Sequence, residues 1–347
     1  MSYVRDNIDA MQGYTPGFQP KDTDFIKLNT NENPYPPSSH VLKAMEEACE
    51  KSIRKYPPPL GDPFREKAGD VFGIDPDCII CGFGSDDILT IAVRTFCGEG
   101  QTIAYPSPTY SLYPVLAQIQ GARTETTEFP EDYSLPENLA RIDAELTFLA
   151  NPNAPSGTLI APDRVETLAN ELNGVLAIDE AYVDFADDNC LELTKTCENV
   201  VVTRTMSKSY SLAGLRFGYA VAPRPLAEAM LKVKDSYNVS APGVAGARAA
   251  IADQKWLGKN IARIRKTRAW LTENLRELGF FCWDSQSNFV LARVPEGQNG
   301  KELFEALFEN KILVRYFDLP RIDDCLRITV GTDKEIDVLL KTLKAIL

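Results

Sequence analysis

Six short apolar runs, at 78–81, 102–105, 146–150, 175–178, 200–203 and 217–221, are separated by stretches of helical periodicity. Runs of four or five apolar residues without polar alternation suit strands buried on both faces. Strands of that kind joined through helices predict an α/β fold: a mainly parallel sheet sandwiched by helices. At 347 residues the chain is long enough to exceed one core. The opening residues are rich in Pro, Asn and Gly, as in Asn29-Thr30-Asn31-Glu32-Asn33-Pro34, and predict an extended arm over 1–41 rather than a domain. The alternating region then defines a large domain over 42–249.

A smaller α+β domain is expected over 250–347. Trp256, Ile261, Ile264, Trp270, Leu271, Leu275 and Leu278 give a long amphipathic helix over about 254–278. Apolar runs at 288–291, 312–315 and 326–330 follow. A last helix carries Ile336, Leu339, Leu340, Leu343 and Leu347. These stripes read as core.

Charge and composition narrow the function. The net charge of −12 opposes binding to nucleic acid or to an anionic membrane surface. No run of 18 apolar residues occurs, so no transmembrane helix is expected. The N-terminus lacks the apolar stretch of a signal peptide, and reduced thiols in a cytoplasmic protein are the expectation for the eight cysteines. Cys78-Ile79-Ile80-Cys81 has redox spacing but the apolar filling of a buried strand. The single histidine, His40, lies in a Pro/Ser-rich loop, which leaves no His-based triad or multi-histidine metal site. No metal is expected.

In parallel α/β folds chemistry gathers at the carboxyl ends of the strands. Four segments there carry suitable residues. Gly82-Phe83-Gly84-Ser85-Asp86-Asp87 precedes a periodic helix and is suited to a phosphate at a helix N-terminus; a plain capped turn fits it too. Pro106-Ser107-Pro108-Thr109 presents Tyr110 at a strand top, to stack on a flat ligand or to pack on its own loop. Asp179-Glu180-Ala181-Tyr182 puts a carboxylate at the end of a buried strand, a costly position without a partner such as a protonated pyridine nitrogen; a helix-capping Asp is the plainer alternative. Thr205-Met206-Ser207-Lys208 sets one lysine among hydroxyls, with Arg216 beyond it. A lysine that forms a Schiff base needs a confined site, with cations such as Arg216 and Arg204 nearby. Hydroxyls and an arginine suit the phosphate of pyridoxal phosphate. A surface lysine in a Ser-rich loop fits the same letters.

Taken in order, Gly84-Ser85-Asp86, Tyr110, Asn151-Pro152-Asn153-Ala154-Pro155-Ser156-Gly157, Asp179-Glu180-Ala181-Tyr182 and Ser207-Lys208 with Arg216 resemble the fold-type-I pyridoxal-phosphate aminotransferases. Tyr14-Thr15-Pro16-Gly17, Arg54-Lys55-Tyr56-Pro57 and Cys325-Leu326-Arg327-Ile328-Thr329 make the chain most similar to the histidinol-phosphate aminotransferase branch, over nearly its whole length. The resemblance implies pyridoxal 5'-phosphate as cofactor. It also implies histidinol phosphate with glutamate or 2-oxoglutarate as substrates. By it, Lys208 is the Schiff-base lysine and proton shuttle, Asp179 faces the pyridine nitrogen, Tyr182 the ring 3-oxygen, and Tyr110 stacks on the ring. Gly84, Ser85, Asp86, Thr205, Ser207 and Arg216 hold the phosphate side. Tyr56 reaches it from the partner of a homodimer. Arg327 grips an acidic substrate group, and Tyr14, Asn31 and Arg315 complete the substrate seat.

The chain departs from that pattern at Ala154, where the family carries an asparagine whose amide contacts the ring oxygen. Asn153 is the candidate replacement. The motifs are also shared by aromatic amino-acid aminotransferases and by threonine-phosphate decarboxylases, and a regulatory domain that binds the cofactor without turnover is the remaining alternative.

Overall fold

The computed structural model of the protein describes residues 3–14, 17–20 and 24–347. Thr15 and Pro16, part of the Tyr14–Gly17 motif, lie outside the described residues. Each expected apolar run of the large sheet becomes a strand. With the arm strand Ile26–Lys27 as β1, the next are β2 (Ile79–Gly82), β3 (Thr102–Ser107), β4 (Arg123–Glu128), β5 (Leu146–Ala150), β6 (Val175–Asp179), β7 (Val200–Thr205) and β8 (Gly218–Val221). They form one seven-stranded sheet in the order β2-β8-β7-β6-β5-β3-β4. The pairs β3·β4, β3·β5, β5·β6 and β6·β7 are parallel. Only β8 runs against its neighbours, antiparallel to both β2 and β7. β4 was not expected. Its sequence, Arg123 to Glu128, is polar and exposed because it forms the sheet edge, where the apolar signal of a buried strand is absent.

Helices cover both faces. Leu89, Val93, Tyr113, Leu116 and Phe148 form a core on one part of the sheet. Phe64, Val165, Leu176, Val202, Phe217 and Val244 belong to the largest cluster. That cluster continues into Trp283, Leu291 and Cys325 of the C-terminal part, so the two sheets share buried contacts.

The second sheet has the order β12-β13-β10-β9, from β9 (Phe281–Cys282), β10 (Phe289–Arg293), β12 (Arg315–Tyr316) and β13 (Cys325–Thr329). Between them β11 (Ile312–Leu313) pairs in parallel with β1 of the arm. The arm is therefore not laid only over a surface: Leu28 is buried in the same cluster as Ile264, Leu271, Val290 and Leu339. The long helix spans Gln254–Glu277 and buries Leu257, Asn260, Ile264, Thr267, Leu271 and Leu275. Asn260 and Thr267 join this face although they are polar, and Thr267 donates to Asp333 at 2.6 Å. The final helix ends at Ile346, which leaves Leu347 exposed beyond the buried stripe. His40 lies not in a loop but in the first turn of helix Ser39–Ser52. Its Nδ1 is 3.2 Å from Asp253.

Leu271 is fully buried, at 0% exposure, between the long helix and the second sheet. Leu271→Ala should lower unfolding free energy by about 3 kcal/mol through lost burial and a residual cavity. Denaturant titration reads this as a lower midpoint with unchanged slope.

Candidate active site

Five strands of the large sheet deliver the site residues from their carboxyl ends. β2 leads through Gly84 into helix Ser85–Phe96. Gly84 has φ of +86°, and a Cβ there would meet the Arg216 guanidinium at 2.6 Å. A side chain at Gly218 would meet the Gly84 backbone at 2.4 Å. The two glycines let the helix N-terminus, β8 and Arg216 approach one another. Arg216 itself adopts a left-handed φ of +53° and donates to Ser207 Oγ at 3.3 Å and Asp86 at 3.4 Å. Thr205 Oγ1 donates to Ser207 Oγ at 3.0 Å and accepts the Ser207 N–H at 3.1 Å. Gly84, Ser85, Asp86, Thr205, Ser207 and Arg216 thus form one cradle of hydroxyls, a guanidinium and a helix N-terminus.

β6 ends on Asp179, which is 5% exposed. Tyr113 donates to its Oδ2 at 3.0 Å, and Thr203 on the adjacent strand lies 3.5 Å from Oδ1. Burial raises the Asp179 carboxyl to about 6, opposed by the Tyr113 hydrogen bond. Burial, and then the Asp179 charge, holds the Tyr113 phenol far above its ordinary value, so Tyr113 remains a donor. Tyr113 was not expected. It reads in sequence as one more core aromatic, stacked on Phe148 at 4.6 Å.

The neighbour Glu180 faces away from this group. It pairs with Arg204 at 2.7 Å, both side chains buried, and accepts the Cys190 N–H. Arg204 is thereby committed to Glu180 and to Asn189 at 3.1 Å. The expectation that it serves as a cation beside Lys208 does not hold.

Lys208 follows the end of β7. Its Nζ donates to the Thr30 carbonyl at 3.1 Å and lies 5.6 Å from the centre of the Tyr182 ring. The arm residue Asn33 donates to the carbonyls of Lys208 and Ser209 at 3.1 and 3.0 Å. Asn31 donates to the Tyr182 hydroxyl at 2.9 Å. The Asn29 carbonyl accepts from Arg327 at 3.2 Å. One tripeptide of the arm, 29–31, therefore touches Arg327, Lys208 and Tyr182 in succession.

Tyr110 donates to Asp86 at 3.1 Å, and the Tyr14 ring meets its edge at 6.2 Å. Arg315 and Arg327 are direct cross-strand partners on β12 and β13. The Arg327 guanidinium stands over Phe289 and Phe317 at 5.1 and 5.3 Å. Its Nε is buried with no hydrogen-bond partner. Burial pulls its pKa down, the Tyr182 phenol opposes this, and Arg315 adds to the lowering. An incoming anion would relieve both the unmatched donor and the like-charge contact.

Two expected residues stand apart. The amide of Asn153 donates to Pro108 O at 3.3 Å and Ser156 Oγ at 3.0 Å, and its oxygen accepts from Thr109 at 2.8 Å. Both of its amide hydrogens are engaged within its own loop. Tyr56 is 82% exposed and stacks on Tyr237 at 4.6 Å. Among the described residues, no cluster of three or more His, Cys, Asp or Glu is arranged to hold a metal, and no helix is long and apolar enough to cross a membrane. All eight cysteines are free thiols.

The arrangement fits a flat, phosphorylated cofactor: an anion cradle at the ends of β2 and β7, a buried carboxylate with a phenol donor at the end of β6, and a lysine on the loop that follows β7. The profile described as aminotransferase class I and II matches residues 23–343, and the chain belongs to that family. Within it, the chain is a member of the histidinol-phosphate aminotransferases. It is 47% identical over 348 residues to histidinol-phosphate aminotransferase 1 of Trichormus variabilis, covering 100% of this chain and 99% of that one. Identity to the enzyme of Rhodopirellula baltica is 46% over 337 residues, covering 96% and 92%. The histidinol-phosphate aminotransferase of Sinorhizobium meliloti, solved in complex with pyridoxal-5'-phosphate, matches with a TM-score of 0.91 at 25% identity, covering 100% and 99%.

Because the Asp179 carboxyl is raised in the folded protein, the folded state binds its proton more tightly than the unfolded state. Stability from this group is present below the unfolded carboxylate pKa and is lost as pH rises through about 6. For the cofactor-free protein, Asp179→Asn should remove a pH dependence on the order of 2–3 kcal/mol between pH 4 and 6.5. Denaturant midpoints of the two proteins should diverge as pH rises, with Asp179→Asn the more stable at pH 6.5. Parallel curves would refute the raised carboxyl.

Proposed function

We propose that this chain transfers an amino group between histidinol phosphate and 2-oxoglutarate, with glutamate as the product, using pyridoxal 5'-phosphate. The observation that carries the reading is the convergence of Lys208, Tyr182 and Arg327 on one tripeptide beside the buried Asp179. The histidinol-phosphate aminotransferase activity named for the relatives of Trichormus variabilis and Rhodopirellula baltica supports the substrate.

When bound, pyridoxal phosphate supplies an aldehyde that condenses with amines and a ring that takes up the electron pair left at the substrate carbon. The chain's residues do the rest. Arg216, Ser207, Thr205, Ser85 and the Gly84 turn hold the phosphate, with Asp86 orienting Arg216. Asp179 would accept the ring N–H and, as a carboxylate, favour the protonated nitrogen at neutral pH. Tyr182 would donate to the ring oxygen, and Tyr110 would cover one ring face. Lys208 Nζ would take the proton from the substrate α-carbon and return it to C4′, the former aldehyde carbon of the cofactor. Its hydrogen bond to Thr30 O gives the free amine a resting position. Arg327, with Arg315 and Tyr14 beside it, would grip the single phosphate of histidinol phosphate; for glutamate or 2-oxoglutarate Arg327 would take one carboxylate and Arg315 and Tyr14 the distal one. Both substrates are anionic, which matches two adjacent arginines in an acidic protein. The engaged amide of Asn153 supports a scaffolding role for it, with Tyr182 as the donor to the ring oxygen.

We place the active enzyme in the cytoplasm as a homodimer. The exposure of Tyr56, together with exposed Leu42, Ile53 and Phe83, supports a partner surface from which Tyr56 reaches the other subunit's phosphate cradle. The single-chain mass by light scattering with full turnover would overturn the dimer.

Lys208→Ala should lose the visible absorbance of the bound cofactor and reduce turnover at least a thousandfold, about the loss of a nucleophile and base in one step. With 2-oxoglutarate as acceptor, kcat/KM should be highest for histidinol phosphate. A preference for phenylalanine would favour an aromatic aminotransferase, and carbon dioxide release from threonine phosphate would favour a decarboxylase.

A further inference from the structure

Tyr182 can donate to a ring oxygen only if its single hydroxyl hydrogen points that way. A phenol oxygen accepts as well as donates, so a neighbour that could accept would draw the hydrogen off. The structure controls this choice. The Asn31 N–H donates to Thr329 Oγ1 at 3.0 Å. The Thr329 hydroxyl then donates to Asn31 Oδ1 at 3.1 Å. With its oxygen held there, the Asn31 amide turns its NH2 group to Tyr182, at 2.9 Å. Asn31 is 1% exposed and sits at φ of +57°, a conformation asparagine tolerates better than most residues. Its carbonyl is fixed by Asn288 at 2.9 Å. No second side-chain donor stands in for Tyr182 from the 151–157 loop. Ala154 has none, and the amide of Asn153 is engaged.

We propose that Thr329 and Asn31 form a polar relay that turns the Tyr182 hydroxyl hydrogen toward the cofactor, making Asn31 a positioning residue rather than a substrate contact. The relay rests on the reading that Tyr182 faces the ring oxygen. Its consequence is electronic. The proton of the link between Lys208 and the cofactor is shared with the ring oxygen. A hydrogen bond donated to that oxygen from outside competes for its electrons, and the proton leaves at lower pH. Without the relay the Tyr182 hydrogen is free to rotate, and the proton is held to higher pH.

The test is a pH titration of the visible absorbance of the cofactor-loaded protein. Tyr182→Phe should raise the apparent pKa. Asn31→Gly, which accepts the positive φ, should raise it by about half to one pH unit. It should add nothing in a Tyr182→Phe background, because the relay acts through the phenol. Thr329→Val should reproduce the Asn31→Gly shift, and Thr329→Ser should restore the original value. These two near-isosteric variants carry the test if Asn31→Gly does not fold. An unchanged titration in Asn31→Gly and Thr329→Val, beside a shifted one in Tyr182→Phe, would overturn the relay alone. An equal shift from Asn31→Gly with and without Tyr182 would also overturn it. No shift in Tyr182→Phe would overturn the placement of Tyr182 and the relay with it.

Discussion

A carboxylate at the end of a buried parallel strand is expensive to keep ionised, and Asp179 occupies that position with one phenol, one strand hydroxyl and the Ala181 N–H for company. Burying a charge without a full partner is unfavourable. In the proposed function, the ring nitrogen of the cofactor would be the cation that offsets this cost. The sheet supplies the depth, since β5 and β7 flank β6 on both sides. Tyr113 supplies a donor that its own burial keeps protonated. Around this point the strand ends gather the other polar groups: the cradle of Arg216, Ser207 and Thr205, and the loop residues Lys208 and Tyr182.

The arm is the second constraint. Its stretch 26–33 makes contacts with both sheets. There β1 pairs with β11, Asn29 and Asn31 meet β13, and Asn33 meets the lysine loop. Backbone carbonyls and side-chain amides of one segment thus hold groups contributed by both sheets. Arg327 of β13 and Lys208 of the loop after β7 are far apart in sequence, and a single tripeptide of the arm touches both.

The buried pair Arg204–Glu180 shows how far local sequence can mislead. Asp179 and Glu180 are adjacent acids, and Arg204 lies close in sequence to Lys208. On alternating faces of adjacent strands, however, Glu180 and Arg204 point to the side away from Asp179 and Lys208. Successive residues of a strand project to opposite faces, and that period separates a structural ion pair from the chemistry.

The large sheet and the motifs at its strand ends were legible in the letters, because strands buried on both faces must be almost wholly apolar and the functional turns carry Gly, Ser, Asp and Lys where apolar residues stop. The polar edge strand β4 was not legible, since an edge strand need not be apolar. Tyr113, Thr329 and the Thr30 carbonyl were also invisible. A tyrosine in a helix, a threonine in a strand and a backbone oxygen have no signature of their own. Only the approach of segments distant in the chain decides which phenol meets Asp179, which carbonyl meets Lys208 and which amide turns toward Tyr182. Local sequence determines what can be buried and where a strand must end; hydrogen-bond direction is a property of pairs, and the pairs exist only after the chain has folded.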